Sequence, residues 1–291
     1  MLWLFVQATI NGTLNGGVYA LIAVGITIIF GVMRIVNFAS GAFFTLSMYL
    51  GYWGYLITGW NAYALIPFVM FTSAVCAFVT FRMAVAPVLH KSREATILTT
   101  VGLGFFLQNI VIILFGGAGL SIPSGISARS VFIGNYSIGY PRLFAFIAAM
   151  LMVIIIAIMI YKTVFGRAMR ATSENAEVAE MLGINTRTVF MVSWVIGIVM
   201  TCIGGVMLTP IYHITAAVGA PFRTTPLIAV ILGGLGDIRG AFICGIMLGI
   251  VEAIVASVVE ANIGALGIFI VYLALFFFKP QGLFGKKERV G

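Results

Sequence analysis

Charge is scarce in this sequence. Lys and Arg number 16 and Asp and Glu 8 in 291 residues, so charged residues make up 8% of the chain against 62% apolar ones, with a mean hydropathy of +1.17. A soluble protein of that composition would have no polar coat, which excludes the soluble globular and disordered classes. Other absences narrow the chemistry. The three cysteines, Cys76, Cys202 and Cys244, lie far apart in apolar segments with no CxxC pair, so they read as packing residues rather than a metal site or a disulfide framework. No GxxxxGK followed by Ser or Thr occurs, so the phosphate-cradling loop of a P-loop ATPase is missing. GLFGKK, Gly282 to Lys287, has too few residues between its glycines and no hydroxyl residue after the lysine, and reads as a solvated juxtamembrane tail. His90 and His213 are isolated from any second ligand at metal spacing. The lone aspartate, Asp237, falls in a connection, and no serine–histidine pair suits an intramembrane protease. The net charge of +8 has no soluble domain to carry a nucleic-acid face, and basic residues in a membrane chain set orientation instead.

What is present is oil-soluble sequence of helical length. A bilayer core of about 30 Å needs about 20 helical residues, and Leu143 to Tyr161 supplies them without charge or proline. Barrel strands would alternate apolar with polar, whereas these segments are apolar on every face. The expected fold class is therefore an all-α polytopic membrane protein. Eight candidate spans emerge: Asn11 to Met33, Phe38 to Thr58, Ala62 to Val85, Ala95 to Phe115, Leu143 to Tyr161, Val189 to Tyr212, Ala241 to Val259 and Ile263 to Phe278. Pro226 to Leu235 is apolar but too short to cross as a straight helix, and reads as a re-entrant or half-helix element. The N-terminal MLWLFVQATINGTLNGG lacks a basic n-region and a clear cleavage site, so the first span is expected to begin within it. The connection Gly116 to Pro141 is rich in Gly, Ser and Pro, shows no strong helix pattern, and is expected to be a loop.

Lys and Arg choose the sides. With Arg34, Arg82, Lys91, Arg93, the Lys162 to Arg187 loop, Arg239 and the tail from Lys279 inside, only Arg129, Arg142 and Arg223 lie outside. That assignment requires an external N-terminus, a cytoplasmic C-terminus, and a Pro226 segment that carries the chain back toward the cytoplasm.

The charged exception is GRAMRATSENAEVAEMLGIN, Gly166 to Asn185. Asn175 is an N-cap candidate, Glu177 and Glu180 follow in the first turns, and Gly183 stands where a left-handed cap would end a short helix. Val178, Met181 and Leu182 make an apolar stripe that Ile184 extends, opposite a charged face. So short a helix is not stable alone in water. Spacing leaves two partners open for the stripe: this chain's own helix ends, or a cytoplasmic protein.

Within the spans, Glu252 stands out, because a carboxylate at bilayer depth costs about 2.5–3.5 kcal/mol and must face protein or water. An interhelical hydrogen bond and a role in lining a path or relaying protons are both compatible with it. Asn11, Asn15, Asn37, Gln108 and Asn109 add uncharged hydrogen-bonding groups that suit either a sparse polar path for a zwitterion or helix–helix bonding. GGLGDIRG, Gly233 to Gly240, has the wrong spacing and context for a dinucleotide loop; backbone turning accounts for it, and Gly245 and Gly249 form a GxxxG for close helix packing.

GRAMRA followed by the short acidic helix and MLGIN resembles the cytoplasmic loop of permease subunits of ABC importers, in particular those of the branched-chain amino acid family. NGGVYALIAVG (Asn15 to Gly25), FGVMRIVNFASG (Phe30 to Gly41), GGLGDIRGAFICGIMLG (Gly233 to Gly249) and PQGLFG (Pro280 to Gly285) resemble, in the expected order, stretches of the smaller of that family's two permease subunits. Ser40 departs from the pattern, standing where the family commonly has histidine in NFAHG, so any role of that histidine is absent here. The resemblance implies a type II ABC importer-like permease of the bacterial or archaeal inner membrane, with 1–291 as one transmembrane domain and 166–185 as its coupling loop. It implies ATPase contact through Arg170, Asn175, Glu177, Val178, Met181, Leu182, Gly183 and Ile184. It also implies a homologous second permease, two cytoplasmic ATPase subunits that hold the ATP, a periplasmic or lipid-tethered binding protein, and leucine, isoleucine, valine or a related amino acid as cargo. No cofactor is expected in this chain. The rival readings are a gradient-driven secondary transporter with Glu252 as coupling carboxylate and the Pro226 segment as a broken helix, and an intramembrane enzyme.

Overall fold

A computed structural model describes residues 2–89, 91–116, 119–122, 130–134, 136–258, 263–279 and 281–285. In chain order the elements are α1 (Leu2–Met33), α2 (Ser40–Thr58), α3 (Ile66–Thr80), α4 (Arg93–Phe115), β1 (Ser130–Ile133), β2 (Tyr136–Gly139), α5 (Tyr140–Lys162), α6 (Val164–Glu174), α7 (Ala176–Met181), α8 (Thr186–Leu208), α9 (Gly219–Gly233), α10 (Ile238–Val258) and α11 (Gly264–Phe278). A π turn over Phe81–Val85 and a 3-10 turn over Ala86–Val88 prolong α3. Each expected span is occupied by a helix. Among the described residues, six helices are long and apolar enough to cross a membrane: α1, α3 with its extension, α4, α5, α8 and α10. The 15 residues of α11 reach about 22 Å at 1.5 Å per residue, short of a full hydrocarbon core.

The centre of the fold is α1. It is apolar all round and so can be covered on every side; Val18, Ala20, Leu21, Ile22, Ala23 and Val24 are fully buried. It packs against α10, α8, α5, α9 and α6. Its tightest seam is with α10, where Gly12 and Gly16 meet Gly249 and Ile246, and Gly245 meets Ala20. A Cβ on Gly16 would lie 2.7 Å from the Ile246 carbonyl oxygen, and one on Gly249 only 2.4 Å from the Gly16 Cα. Small residues let the two backbones touch, which is how helices gain contact in lipid without a hydrophobic drive between them. On the outer faces Phe71, Phe105, Ile113, Phe277 and Phe278 are exposed, as lipid-facing residues are.

Three features differ from the sequence expectation. The connection expected as plain loop carries the antiparallel hairpin β1–β2, whose closing pair is Ile133↔Tyr136, with Gly134 at φ 62°. Gly-Asn between VFI and YSI is a two-residue hairpin signature, obscured by the Gly- and Ser-rich sequence before it. Gln7 grips the hairpin: its Nε2 donates to the Ser137 carbonyl (2.7 Å), and its Oε1 accepts from the Ser137 amide (3.1 Å). Second, the charged loop holds two helices rather than one, α6 preceding α7. Third, the element placed at Pro226 to Leu235 begins earlier, at Gly219, with Pro226 inside it. Pro226 has no N–H for the Phe222 carbonyl. The turn survives because Phe222 stacks on Phe44 (4.1 Å) and the Gly219 amide donates to Thr45 Oγ1 (3.1 Å).

The molecule has two chemically distinct ends. At one, Arg170 and Arg239 both lie over the Tyr161 ring, at 5.9 and 5.6 Å, and Arg34 Nη2 donates to the Ser173 carbonyl (3.3 Å). At the other are the hairpin, the Leu120↔Ile214 bridge and the hydrogen bond from Tyr63 to the Pro141 carbonyl (3.3 Å).

Gly249→Val is expected to destabilise the protein by about 3 kcal/mol or more, because the clash is with backbone and cannot relax by a rotamer change. Gly102→Ala, where a Cβ meets nothing within 4 Å, is expected to be neutral. Thermal unfolding of the two variants in the same detergent checks the pair.

Candidate coupling surface and polar track

The loop at the basic end is organised by caps. Thr163 Oγ1 accepts from the Gly166 amide (3.0 Å) and opens α6 directly after α5. Arg170 turns back and donates to the Ile160 carbonyl, placing a cation on the C-terminal carbonyls of α5. Gly166, Met169 and Thr172 form the buried side of α6. Asn175 then breaks the helix and starts the next: its Oδ1 accepts from the amides of Glu177 (3.0 Å) and Val178 (3.1 Å). Glu177 sits in the first turn, where the helix dipole favours an anion. At the far end Gly183 adopts φ 84°, its amide bonds the Glu180 carbonyl (2.9 Å), and the Ile184 amide bonds the Ala179 carbonyl (3.0 Å). This is a Schellman stop, which needs a left-handed residue at the glycine. Asn185 Oδ1 caps α8 through the Thr188 amide (3.0 Å).

These caps decide which way the short helix faces. Ala179 is 2% exposed and Ile184 packs on the core, so they anchor α7. Val178 is half exposed, Met181 is 85% exposed and Leu182 75%, with Glu177 and Glu180 exposed beside them. The stripe whose partner spacing left open is therefore not covered by this chain's own helices. Arg170 stands apart from the other residues of that set, its guanidinium committed to α5.

The polar residues of the spans divide. Asn11 and Asn15 are half-buried and share one side of α1 with Tyr19, at four-residue spacing. Glu252, on α10 and half-buried, is the carboxyl whose charge lies nearest the Tyr19 hydroxyl on α1. Tyr212 stands in the connection between α8 and α9. Tyr19 and Tyr212 each pack on the Phe222 ring with centroids 5.6 Å apart. Sequence reasoning missed Tyr19, Tyr212 and Phe222; for Tyr19 the signal was its place at the end of the Asn11, Asn15 series. The remaining three do not join this group. Asn37 is 1% exposed and turns the chain into α2, its Oδ1 accepting from the Ala39 amide (2.9 Å), while its Nδ2 has no partner among the described residues. Ser40, also buried, donates to the Asn37 carbonyl (3.4 Å). Gln108 Nε2 braces the α8–α9 connection at the Ala216 carbonyl (3.1 Å), and Asn109, exposed, bonds the Phe105 carbonyl of its own helix (2.8 Å).

A bundle of apolar helices around α1, with a capped loop at its basic end, is the setting for the comparison with known proteins. The family described as branched-chain amino acid transport system / permease component matches residues 8–278. The chain belongs to that family. This permease is 29% identical to the high-affinity branched-chain amino acid transport system permease protein LivH of Escherichia coli (strain K12), over 98% of this chain and 96% of that protein. It is 27% identical to the corresponding protein BraD of Pseudomonas aeruginosa, over 98% of this chain and 97% of that protein. Its fold is similar to that of a chain of PsaBC from Streptococcus pneumoniae in complex with Fab, with a TM-score of 0.51 and 14% identity over 97% of each chain. The permease is thus a multi-pass membrane transport component of the ABC type, not a catalytic enzyme.

Asn175→Ala is expected to cost α7 about 1 kcal/mol by orphaning two amides. Hydrogen exchange at Glu177 and Val178 should then be about fivefold faster, with α5 and α8 unchanged.

Proposed function

We propose that this chain is one transmembrane permease domain, 1–291, that forms half of the path of an ATP-driven importer for leucine, isoleucine, valine or a related amino acid. The observation that carries the reading is the solvent-exposed stripe of Val178, Met181 and Leu182, held outward by the Asn175 and Gly183 caps and anchored by Ala179 and Ile184. A rigid apolar knob with an acidic rim of Glu177 and Glu180 suits a groove on a cytoplasmic ATPase, which binds and hydrolyses the ATP. Closure of two such ATPase subunits moves α7; α6 and α8 pass the motion to α1, and the path opens alternately to either side. A homologous second permease supplies the other half of the path, and a periplasmic or lipid-tethered binding protein delivers the cargo and sets most of the specificity.

The chain lies in the inner membrane with its N-terminus outside and its C-terminus in the cytoplasm. The gathering of Arg34, Arg170 and Arg239 at the end that carries α6 and α7 supports that orientation, since basic residues favour the cytoplasmic side. The short α9 supports it too. It ends where Gly233 touches Gly240, at the start of α10, so the chain returns inward before Arg239.

Leu182→Glu places a charge on the knob without touching the buried face. The variant is expected to insert and purify like the parent, while ATP-driven leucine uptake by the reconstituted complex falls at least about tenfold and ATP hydrolysis no longer responds to transport. Parental coupled uptake would refute the docking role of α7.

A further inference from the structure

We propose that the groove between α4 and the extended end of α3 binds an anionic phospholipid, with an acyl chain lying in the groove and the phosphate held by Arg82 and Lys91. The site goes beyond the importer reading and requires only that the chain spans a membrane.

The groove has a local cause. Pro87 has no N–H for the Met83 carbonyl, and the Ala86 amide bonds the Phe81 carbonyl five residues back, so α3 ends in a widened turn over Phe81–Val85. Beside that turn opens a cavity of about 360 Å³, with Val79 and Met83 on one wall and Gly102 and Phe106 on the other. Gly102 leaves its floor open, since a Cβ there would meet nothing within 4 Å. The two hydroxyls in the lining are turned back on their own helices: Thr80 Oγ1 donates to the Ala77 carbonyl (3.0 Å) and Thr99 Oγ1 to the Ala95 carbonyl (2.8 Å). A zwitterion would lose its water in such a groove and gain little, whereas a hydrocarbon chain has no hydrogen bonds to lose.

Charge supplies the other half of the site. Arg82 is exposed inside the span Ile66–Val88, six residues or about 9 Å before its end. A cation at that depth is costly until a counter-charge meets it. Lys91 is exposed in the turn that joins the two walls, a turn pinned where the Lys91 amide (3.0 Å) and Thr96 Oγ1 (3.4 Å) both donate to the Val88 carbonyl. Neither cation has a side-chain hydrogen bond or an ion pair among the described residues. From residue 82 to residue 94 the sequence sets Arg82, Lys91 and Arg93 against one carboxylate, Glu94. Unpaired cations at one end of an apolar slot between two membrane helices complement a molecule with a phosphate at its head and a hydrocarbon tail.

The alternative occupant is a helix of a partner subunit. The complete complex, held in phosphatidylcholine nanodiscs, is irradiated with phosphatidylglycerol bearing a diazirine on its acyl chain, and the labelled peptides are mapped by mass spectrometry. Residues 79–84 and 99–106 are expected to take at least about fivefold more label from this probe than from phosphatidylcholine with the same chain. Arg82→Gln with Lys91→Gln should bring the two probes level, and Gly102→Leu, which fills the floor, should reduce the label from both. Equal labelling of the unaltered complex overturns the proposal, as does a preference that survives loss of both cations. Absence of label from both walls also overturns it and marks the face as covered by protein. Should the double variant fail to assemble, Gly102→Leu decides alone, and labelling it leaves unchanged overturns the site.

Discussion

Backbone contact between α1 and α10 is the constraint on which the rest of the structure depends. In lipid no hydrophobic force draws helices together, so stability comes from packing at short range, and Gly12 and Gly16 against Gly249, with Gly245 against Ala20, bring the two backbones into direct contact. That contact sets the rotation of both helices. It turns Tyr19 toward Glu252 and puts Asn11 and Asn15 on the same side of α1. A second close approach, Gly41 on α2 to Gly219 on α9, seats α9 so that Phe222 completes the aromatic group with Phe44, Tyr19 and Tyr212.

The few charges are spent where the apolar bundle cannot organise itself. Helix ends leave carbonyls and amides without partners, and at the basic end these are met by Arg170 on α5, Arg34 on the Ser173 carbonyl, and Thr163, Asn175 and Asn185 at three successive helix starts. Chained caps make a stiff loop out of short pieces. Stiffness is what a surface needs if movement applied to it is to reach the membrane helices instead of being absorbed locally. The opposite end uses amides for the same purpose: Gln7 clasps the hairpin and Gln108 braces the α8–α9 connection.

Much of this was legible in the sequence where the signal is local. The Asn175 cap and the Gly183 stop stand where N-cap and left-handed preferences put them, and every expected span holds a helix. The hairpin escaped because two short strands in a Gly- and Ser-rich connection give little periodicity. Helix α6 escaped because its buried residues, Gly166, Met169 and Thr172, are not an apolar stripe by type. Asn37, Gln108 and Asn109 looked alike as polar residues near spans, yet one turns a chain, one braces a connection and one bonds its own helix.

The sequence by itself determined the class, the helices of membrane length, the Asn175 and Gly183 caps and the family, because composition, segment length and cap chemistry act within a few residues. Only the tertiary structure decided which way things face. Helices apolar on every side carry no moment that tells protein from lipid, so spacing was silent on whether Met181 is covered, whether Arg170 turns inward, and which side chain meets Glu252. Those answers come from backbones brought into contact across long stretches of chain, where each glycine seam permits one rotation and excludes its neighbours.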